Sequence, residues 1–577
     1  MKLSERQTNI LVPLLVGFSW AFLWFLPIIQ HTYTIENSWI ASVFSVFFQP
    51  STEELLVGKG VDLYGSFWMV EQVKNMVIHD QPSMLPWMYS PIGFDLGENT
   101  GYAWVDAFLG IPFAMWLGVP GFWNLHVYFV CSCSIASLVW MFRQCTVSWS
   151  ISIGLALLCY TNPFMIDELN LGRPTQISIW PLALLVGTML KQQSGFVWKH
   201  GILVGMWMAF ACLTYWFTGI AMGVCMIFFY FQQLYQQPAK KNALLFAIVG
   251  IVLCCAIVLP ITWDMTSAIL QGKMQHSYTK LLGKPDAIWW FELPLQTIYT
   301  IDSWTDAKYV FKASCQHLPF FVIIVFSCFY PKDYGKKWIW VVLWLFTLGM
   351  SLSSAIRVFG FYIPTGLGVL EWIFPPMLRC QFEGRNVIVA NMIGAIIVAL
   401  TTQSITKHPR FSKKLHNKEW MIGFVCVLYA WMLLPTSKTL ATTTFTPATQ
   451  SNRMFMENPG GIIEFPYMMS NYTYIQQIFH KQPIFGGMGF DTVRPAKHKL
   501  YEKQHPTIQK IHQVYTEGTF HQPLSKEDKA FLVDDGFRWV VIHGPSSTMP
   551  IERWRHFLRS TETAIEGESN WYFDISK

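Results

Sequence analysis

The chain has 577 residues, 52% of them hydrophobic and only 13% charged, with a mean hydropathy of +0.32. Soluble domains carry about 25% charged residues, so the composition excludes an ordinary soluble globular protein and points to a polytopic membrane protein. The net charge of +6 is small for this length; no nucleic-acid partner is expected, and the position of the charges carries the information.

In chain order, the first apolar run spans 10–29 and follows Lys2 and Arg6. The residues after it, Gln30-His31-Thr32-Tyr33, make a poor cleavage site, so the run reads as an uncleaved helix rather than a signal peptide. Further runs cover 123–142, 149–162, 174–190, 201–217, 218–235, 243–262, 313–330, 338–354, 385–403 and 419–435, giving about eleven expected transmembrane helices. The fifth and sixth form a hairpin hinged near Tyr215 to Gly219. With the N-terminus in the cytoplasm, every inside segment is basic: Arg143, then Lys191 and Lys199, then Lys240 and Lys241, then Lys332, Lys336 and Lys337, and finally the cluster from Lys407 to Lys418. The outside loops are acidic. Counting Trp104 to Gly118 as a span would invert this pattern. It is therefore expected to be an amphipathic helix in the outer interface, within one large outside loop, 30–122.

Residues 1–435 thus form a transmembrane domain and 436–577 a soluble, extracytoplasmic one. The latter reads as a small α/β or α+β domain. Strands are expected at Gly461 to Phe465, Phe537 to His543 and Trp571 to Ile575. A capping box, Ser525-x-x-Asp528, opens a helix that stops before Gly536, and Pro550 to Arg559 is expected to be helical. This domain has no cysteine, and nine of the twelve cysteines fall inside apolar runs, so no disulfide framework is expected. Asn471-Tyr472-Thr473 reads as a chance glycosylation pattern.

Candidate chemistry lies in the outside segments. The first loop holds Asp62, Asp95, Glu98 and Asp106, which are either a solvated acidic loop or a source of a general base. The second loop carries Asp167, Glu168 and Arg173. They are either an interfacial ion pair, or an acid that steers a sugar hydroxyl beside an Arg whose planar fork suits phosphate. A third group, Arg357, Arg379 and Arg385, lies before the tenth apolar run. A helix N-terminus plus Arg makes an anion site, and interfacial snorkelling is the alternative. There is no Walker loop, no Asp-x-Asp and no His-x-x-x-His pair on an expected helix, so no metal or other cofactor is expected.

The order of these features resembles the membrane-embedded GT-C glycosyltransferases, which use polyprenyl-phosphate-linked sugars. Tyr89-Ser90-Pro91-Ile92-Gly93-Phe94-Asp95-Leu96 is similar to a loop of multi-pass bacterial relatives. Leu171-Gly172-Arg173-Pro174-Thr175-Gln176 with Trp180-Pro181-Leu182 is similar to another of their segments, with Arg173 where His is usual. Gly461 to Pro466, Gly486-Gly487 and Gly536 to His543 resemble their C-terminal domain. The resemblance implies a sugar transferred from a polyprenyl-phosphate carrier to a glycan, lipid or protein acceptor on the periplasmic face of a bacterial inner membrane. It implies Asp62 as catalytic base and Glu168, Asp95 or Glu98 as orienting acids. Arg357, Arg379 and Arg385 would meet the leaving phosphate, and Asp167 and Arg173 would complete the substrate contacts. Membrane lipids surround the helices. A non-enzymatic lipid-linked-sugar transporter or an envelope assembly protein is the competing reading.

Overall fold

The computed structural model describes residues 4–36, 38–48, 54–99, 103–145, 147–194, 196–236, 240–270, 318–330, 334–352, 355–358, 361–364, 383–406, 419–436, 440–445, 450–465, 471–486, 495–520, 522–543, 547, 549–560, 562–563 and 570–576. It divides into two compact units. One comprises 1–47, 101–106 and 124–441; the other comprises 48–100, 107–123 and 442–577.

The first unit is helical. Within the described residues each of the eleven apolar runs falls on helix, but the helices differ in reach. Among the described residues five are long and apolar enough to cross a membrane: Gln7–Thr32, Trp123–Gln144, Trp216–Tyr235, Lys241–Ser267 and Val387–Thr406. They become six if Trp149–Tyr160 and Pro163–Asn170, bent by 49° at a break, count as one span. The remaining runs lie on shorter apolar stretches, such as Trp180–Leu190 and Glu419–Met432. The breaks have local causes. Asn162 is extended, its side chain accepts from the Met165 N–H at 3.0 Å, and Pro163 occupies the first helical turn, where its missing N–H costs nothing. Tyr215, also extended, separates Trp198–Thr214 from Trp216–Gln236 and forms the hinge expected there.

Close helix packing in this unit depends on small residues. Gly201 and Gly205 sit one turn apart on Trp198–Thr214 and face the helix Lys240–Leu270. A Cβ at Gly201 would lie 2.4 Å from the Phe246 carbonyl oxygen, and one at Gly205 would lie 2.4 Å from that of Gly250. This is the small-xxx-small contact that lets helix backbones approach in lipid, where burial gives little driving force. Other residues of Lys240–Leu270, including Leu244, Ile248, Ile251 and Val252, are exposed and apolar, as a lipid-facing side requires.

The stretch placed in the interface does form a helix, Trp104–Leu117. It is not amphipathic, however. Trp104, Val105, Ala107, Ile111 and Ala114 are buried, and the exposed side carries Phe108, Met115 and Trp116. Its one charged residue, Asp106, points inward and is buried.

The second unit joins residues 48–100 and 107–123 to the C-terminal residues. Glu54–Val57 pairs antiparallel with Thr442–Phe445, in the register Glu54 to Phe445 and Val57 to Thr442. The helix Val61–Ile78 packs against Asn471–His480. A four-stranded mixed sheet follows the order Gly461–Phe465, Phe537–His543, Asn570–Asp574, Glu562–Thr563, with only the first pair parallel. Helices connect the parallel pair, as a parallel connection demands. One of them, Lys526–Asp534, opens with the expected capping box: Ser525 Oγ accepts from the Asp528 N–H at 3.0 Å, and the Ser525 N–H donates to Asp528 Oδ2 at 2.9 Å. It ends at Gly536, whose φ of +87° suits glycine. Ile463, Phe465, Val540, Ile542, Trp554 and Phe573 form part of the core around this sheet.

Replacing Gly205 by Leu forces a side chain into the Gly250 backbone. Overpacking of this kind costs about 1–3 kcal/mol, so Gly205→Leu is expected to lower the thermal unfolding midpoint of the detergent-solubilised protein. Leu at the exposed Val252 should leave the midpoint unchanged.

Candidate active site

In the first unit the site is built around Glu168, whose side chain is 2% exposed. It lies in the short helix Pro163–Asn170. The chain then turns at Gly172, where a φ of +67° favours glycine. This turn returns Arg173 to the carboxylate: Arg173 Nη1 stands 3.2 Å from Glu168 Oε2, and the Arg173 N–H donates to the Glu168 carbonyl at 3.0 Å. A second guanidinium arrives from far along the chain. Arg385 lies in the 3-10 turn Glu383–Asn386 that opens the helix Val387–Thr406. Its Nε is 4.0 Å from Glu168 Oε1, and its Nη1 donates to the Tyr215 hydroxyl at 2.8 Å. The Arg385 guanidinium also sits 5.6 Å from the centre of the Tyr215 ring. Asn386, beside it, is buried, and its side-chain amide has no hydrogen-bond partner among the described residues.

The cluster brings two guanidinium groups to one carboxylate. The closer pair, Glu168 and Arg173, offsets itself. Arg385 is thus held by a hydroxyl, by an aromatic ring and, at longer range, by the carboxylate. A cation at a helix N-terminus suits a phosphate. Tyr215 was expected only as a hinge; the hydroxyl it carries at that break is the signal that marks it as a site residue.

Asp106 is a second buried acid of this unit. Neither carboxylate oxygen has a hydrogen-bond partner among the described residues. Burial raises its pKa to about 7, and the nearby Ser178 hydroxyl pulls the other way without reaching good hydrogen-bond geometry. Asp167, next to Glu168, is half-buried.

The second unit carries Asp62 in the first turn of Val61–Ile78, half-buried, after Gly60 with a φ of +88°. A carboxylate there is favoured by the helix dipole. Asp95 lies in the two-residue strand Phe94–Asp95, opposite Met84. Glu98 falls in the helix Leu96–Asn99 and Arg357 in the strand Ala355–Val358, but their side chains are outside the described residues. Arg379 lies outside them altogether. Of the expected site residues, then, the structure brings together Glu168, Arg173 and Arg385. No group of three or more His, Cys, Asp or Glu side chains able to hold a metal occurs among the described residues.

The fold resembles that of solved GT-C-fold membrane proteins. The crystal structure of the Archaeoglobus fulgidus oligosaccharyltransferase complexed with Zn and sulfate is similar over 96% of this chain and 70% of that one, at 12% identity and a TM-score of 0.54. ArnT from Cupriavidus metallidurans bound to undecaprenyl phosphate is similar over 97% of both chains, at 9% identity and a TM-score of 0.52. No family model matches the sequence, and no curated protein matches it.

Asp106 has a pH signature. Its raised pKa makes the folded state hold a proton that the unfolded chain loses near pH 4. The penalty on stability therefore grows as pH rises from about 4 to about 7 and is constant above that. Asp106→Asn removes the ionisation at nearly constant shape. Its thermal midpoint is expected to exceed that of the wild type at pH 8 by more than at pH 5.

Proposed function

We propose that the protein is a membrane glycosyltransferase that moves a sugar from a polyprenyl-phosphate carrier to an acceptor hydroxyl or amide on the periplasmic face of a bacterial inner membrane. The observation that supports this reading best is the guanidinium of Arg385, held by Tyr215 and Glu168 at the start of a long helix. Both fold relatives named above are glycosyl or oligosaccharyl transferases, and one is bound to undecaprenyl phosphate. The basic inside segments support the orientation.

In the reaction the acceptor atom attacks the anomeric carbon, the carbon–oxygen bond to phosphate breaks, and the phosphate leaves with the electron pair. Asp62 takes the acceptor proton. Arg385, with Arg379 and Arg357 earlier in the chain, meets the negative charge that builds on the leaving oxygen; donors aimed at developing charge give the largest single contribution in many enzymes. Glu168 holds Arg173 and Arg385 in place, while Asp95, Glu98 and Asp167 orient the sugars. The second unit binds the acceptor.

Transfer from a radiolabelled polyprenyl-phosphate sugar is the direct assay. Asp62→Asn keeps the volume and removes the base, so the rate is expected to fall by about 10²–10⁴. Arg385→Gln is expected to cost about 10²–10³. Transfer at the wild-type rate by Asp62→Asn would sink the assignment of the base.

A further inference from the structure

The helices Trp198–Thr214 and Lys240–Leu270 run in the same direction, because Gly201 faces Phe246 and Gly205 faces Gly250. Their first turns therefore lie side by side. Lys199 is in one of these turns and Lys241 in the other. Measured from the contact of Gly201 with Phe246, the two lysines are offset by only about 4.5 Å along the helices. A third lysine joins them. Gln192 is fully buried, its Nε2 stands 2.7 Å from His200 Nδ1, and its Oε1 accepts from the Val197 N–H at 3.2 Å. These bonds fix the turn that runs from Lys191 to Lys199. All three lysines are exposed. Lys199 stands about 24 Å along its helix from Tyr215, so this end of the first unit has no part in the proposed transfer chemistry.

Helix stability does not explain these positions. Cations are favoured at the end of a helix and disfavoured at its start, and Lys199 and Lys241 are both at starts. Nor are they committed to the fold, as other basic residues of the inner segments are. Arg143 donates to the Val147 carbonyl, and Lys337 donates to the carbonyls of Ser327 and Tyr330 at 2.7 and 2.9 Å. Lys199 and Lys241 make no ion pair among the described residues. The sequence holds no acid between Glu168 and Asp264.

The lysines head an apolar surface. Ile202 and Leu203 on one helix, and Leu244, Leu245 and Ile248 on the other, are 38–59% exposed and follow the lysines within two turns. Trp198, beside Lys199, is exposed as well, as indole rings are at a membrane interface. A small soluble anion would use the charge and leave the apolar surface bare. A zwitterionic lipid would cover the apolar surface but bring its own cation to the lysines. An anionic phospholipid satisfies both, with its phosphate at the lysines and its acyl chains along the side chains that follow. Basic pockets between transmembrane helices bind such headgroups. We propose that the paired starts of these two helices, with Lys191, form a binding site for an anionic phospholipid.

The test is native mass spectrometry of the full-length protein in detergent, with phosphatidylglycerol or phosphatidylcholine of the same acyl chains added at equal concentration. The wild type is expected to bind phosphatidylglycerol about tenfold more tightly, a difference of about 1.4 kcal/mol. The double variant Lys199→Gln with Lys241→Gln is expected to bind the two lipids alike. Lys413→Gln with Lys414→Gln removes the same charge from another inner segment and is expected to keep the preference. A wild type that binds both lipids equally, a preference that survives in the first double variant, or an equal loss in both double variants overturns the proposal. Thermal midpoints near that of the wild type show that the variants are folded; if the first double variant is not, Lys199→Gln alone replaces it and is expected to weaken the preference by about threefold. Sugar transfer plays no part in the readout, so a failure here is distinct from a failure of the transferase reading.

Discussion

A carboxylate that is 2% exposed needs positive partners, because the cost of removing a charge from water is several kcal/mol even after relaxation. Glu168 meets that need with Arg173 at 3.2 Å and Arg385 at 4.0 Å. The pairing constrains three separate pieces of chain: the short helix Pro163–Asn170, the left-handed turn at Gly172, and the 3-10 turn that opens Val387–Thr406. Through Tyr215 it also reaches the hinge between two further helices. Removing one partner of a buried pair typically costs about 3–5 kcal/mol. The same geometry that satisfies Glu168 gathers two guanidinium groups at one place, and guanidinium groups are what a phosphate requires. Structural need and candidate chemistry therefore share one set of atoms.

The sequence made local features legible. Ser525 with Asp528, Gly536 and the strand Phe537–His543 were all readable because caps, left-handed glycines and β-branched runs act within a few residues. The Glu168–Arg173 pair was readable for the same reason. Contacts across the chain were not. The Arg385 bond to Tyr215 joins residues 170 apart, and the pairing of Glu54–Val57 with Thr442–Phe445 sends part of an outside loop into the same compact unit as the C-terminal residues. No periodicity records such partners. Reach is a further such property: among the described residues five or six helices are long and apolar enough to span, and the other runs lie on shorter apolar helices. The helix Trp104–Leu117 differs from expectation because its one acid is buried rather than facing water.

The fold likeness and the site support the functional reading in different ways. At 12% and 9% identity the relatives establish the architecture, and many functions can share an architecture. The argument for phosphate chemistry therefore rests on the two guanidinium groups gathered at Glu168. Asp62 enters through its place in the first turn of the helix Val61–Ile78.

Native mass spectrometry of the purified protein with undecaprenyl phosphate probes the central claim most directly, because it reads the carrier and not the reaction. The account predicts that the wild type binds one carrier molecule and that Arg385→Gln loses most of this binding while staying folded. Equal binding by the wild type and Arg385→Gln would contradict the assignment of this cluster to the carrier phosphate.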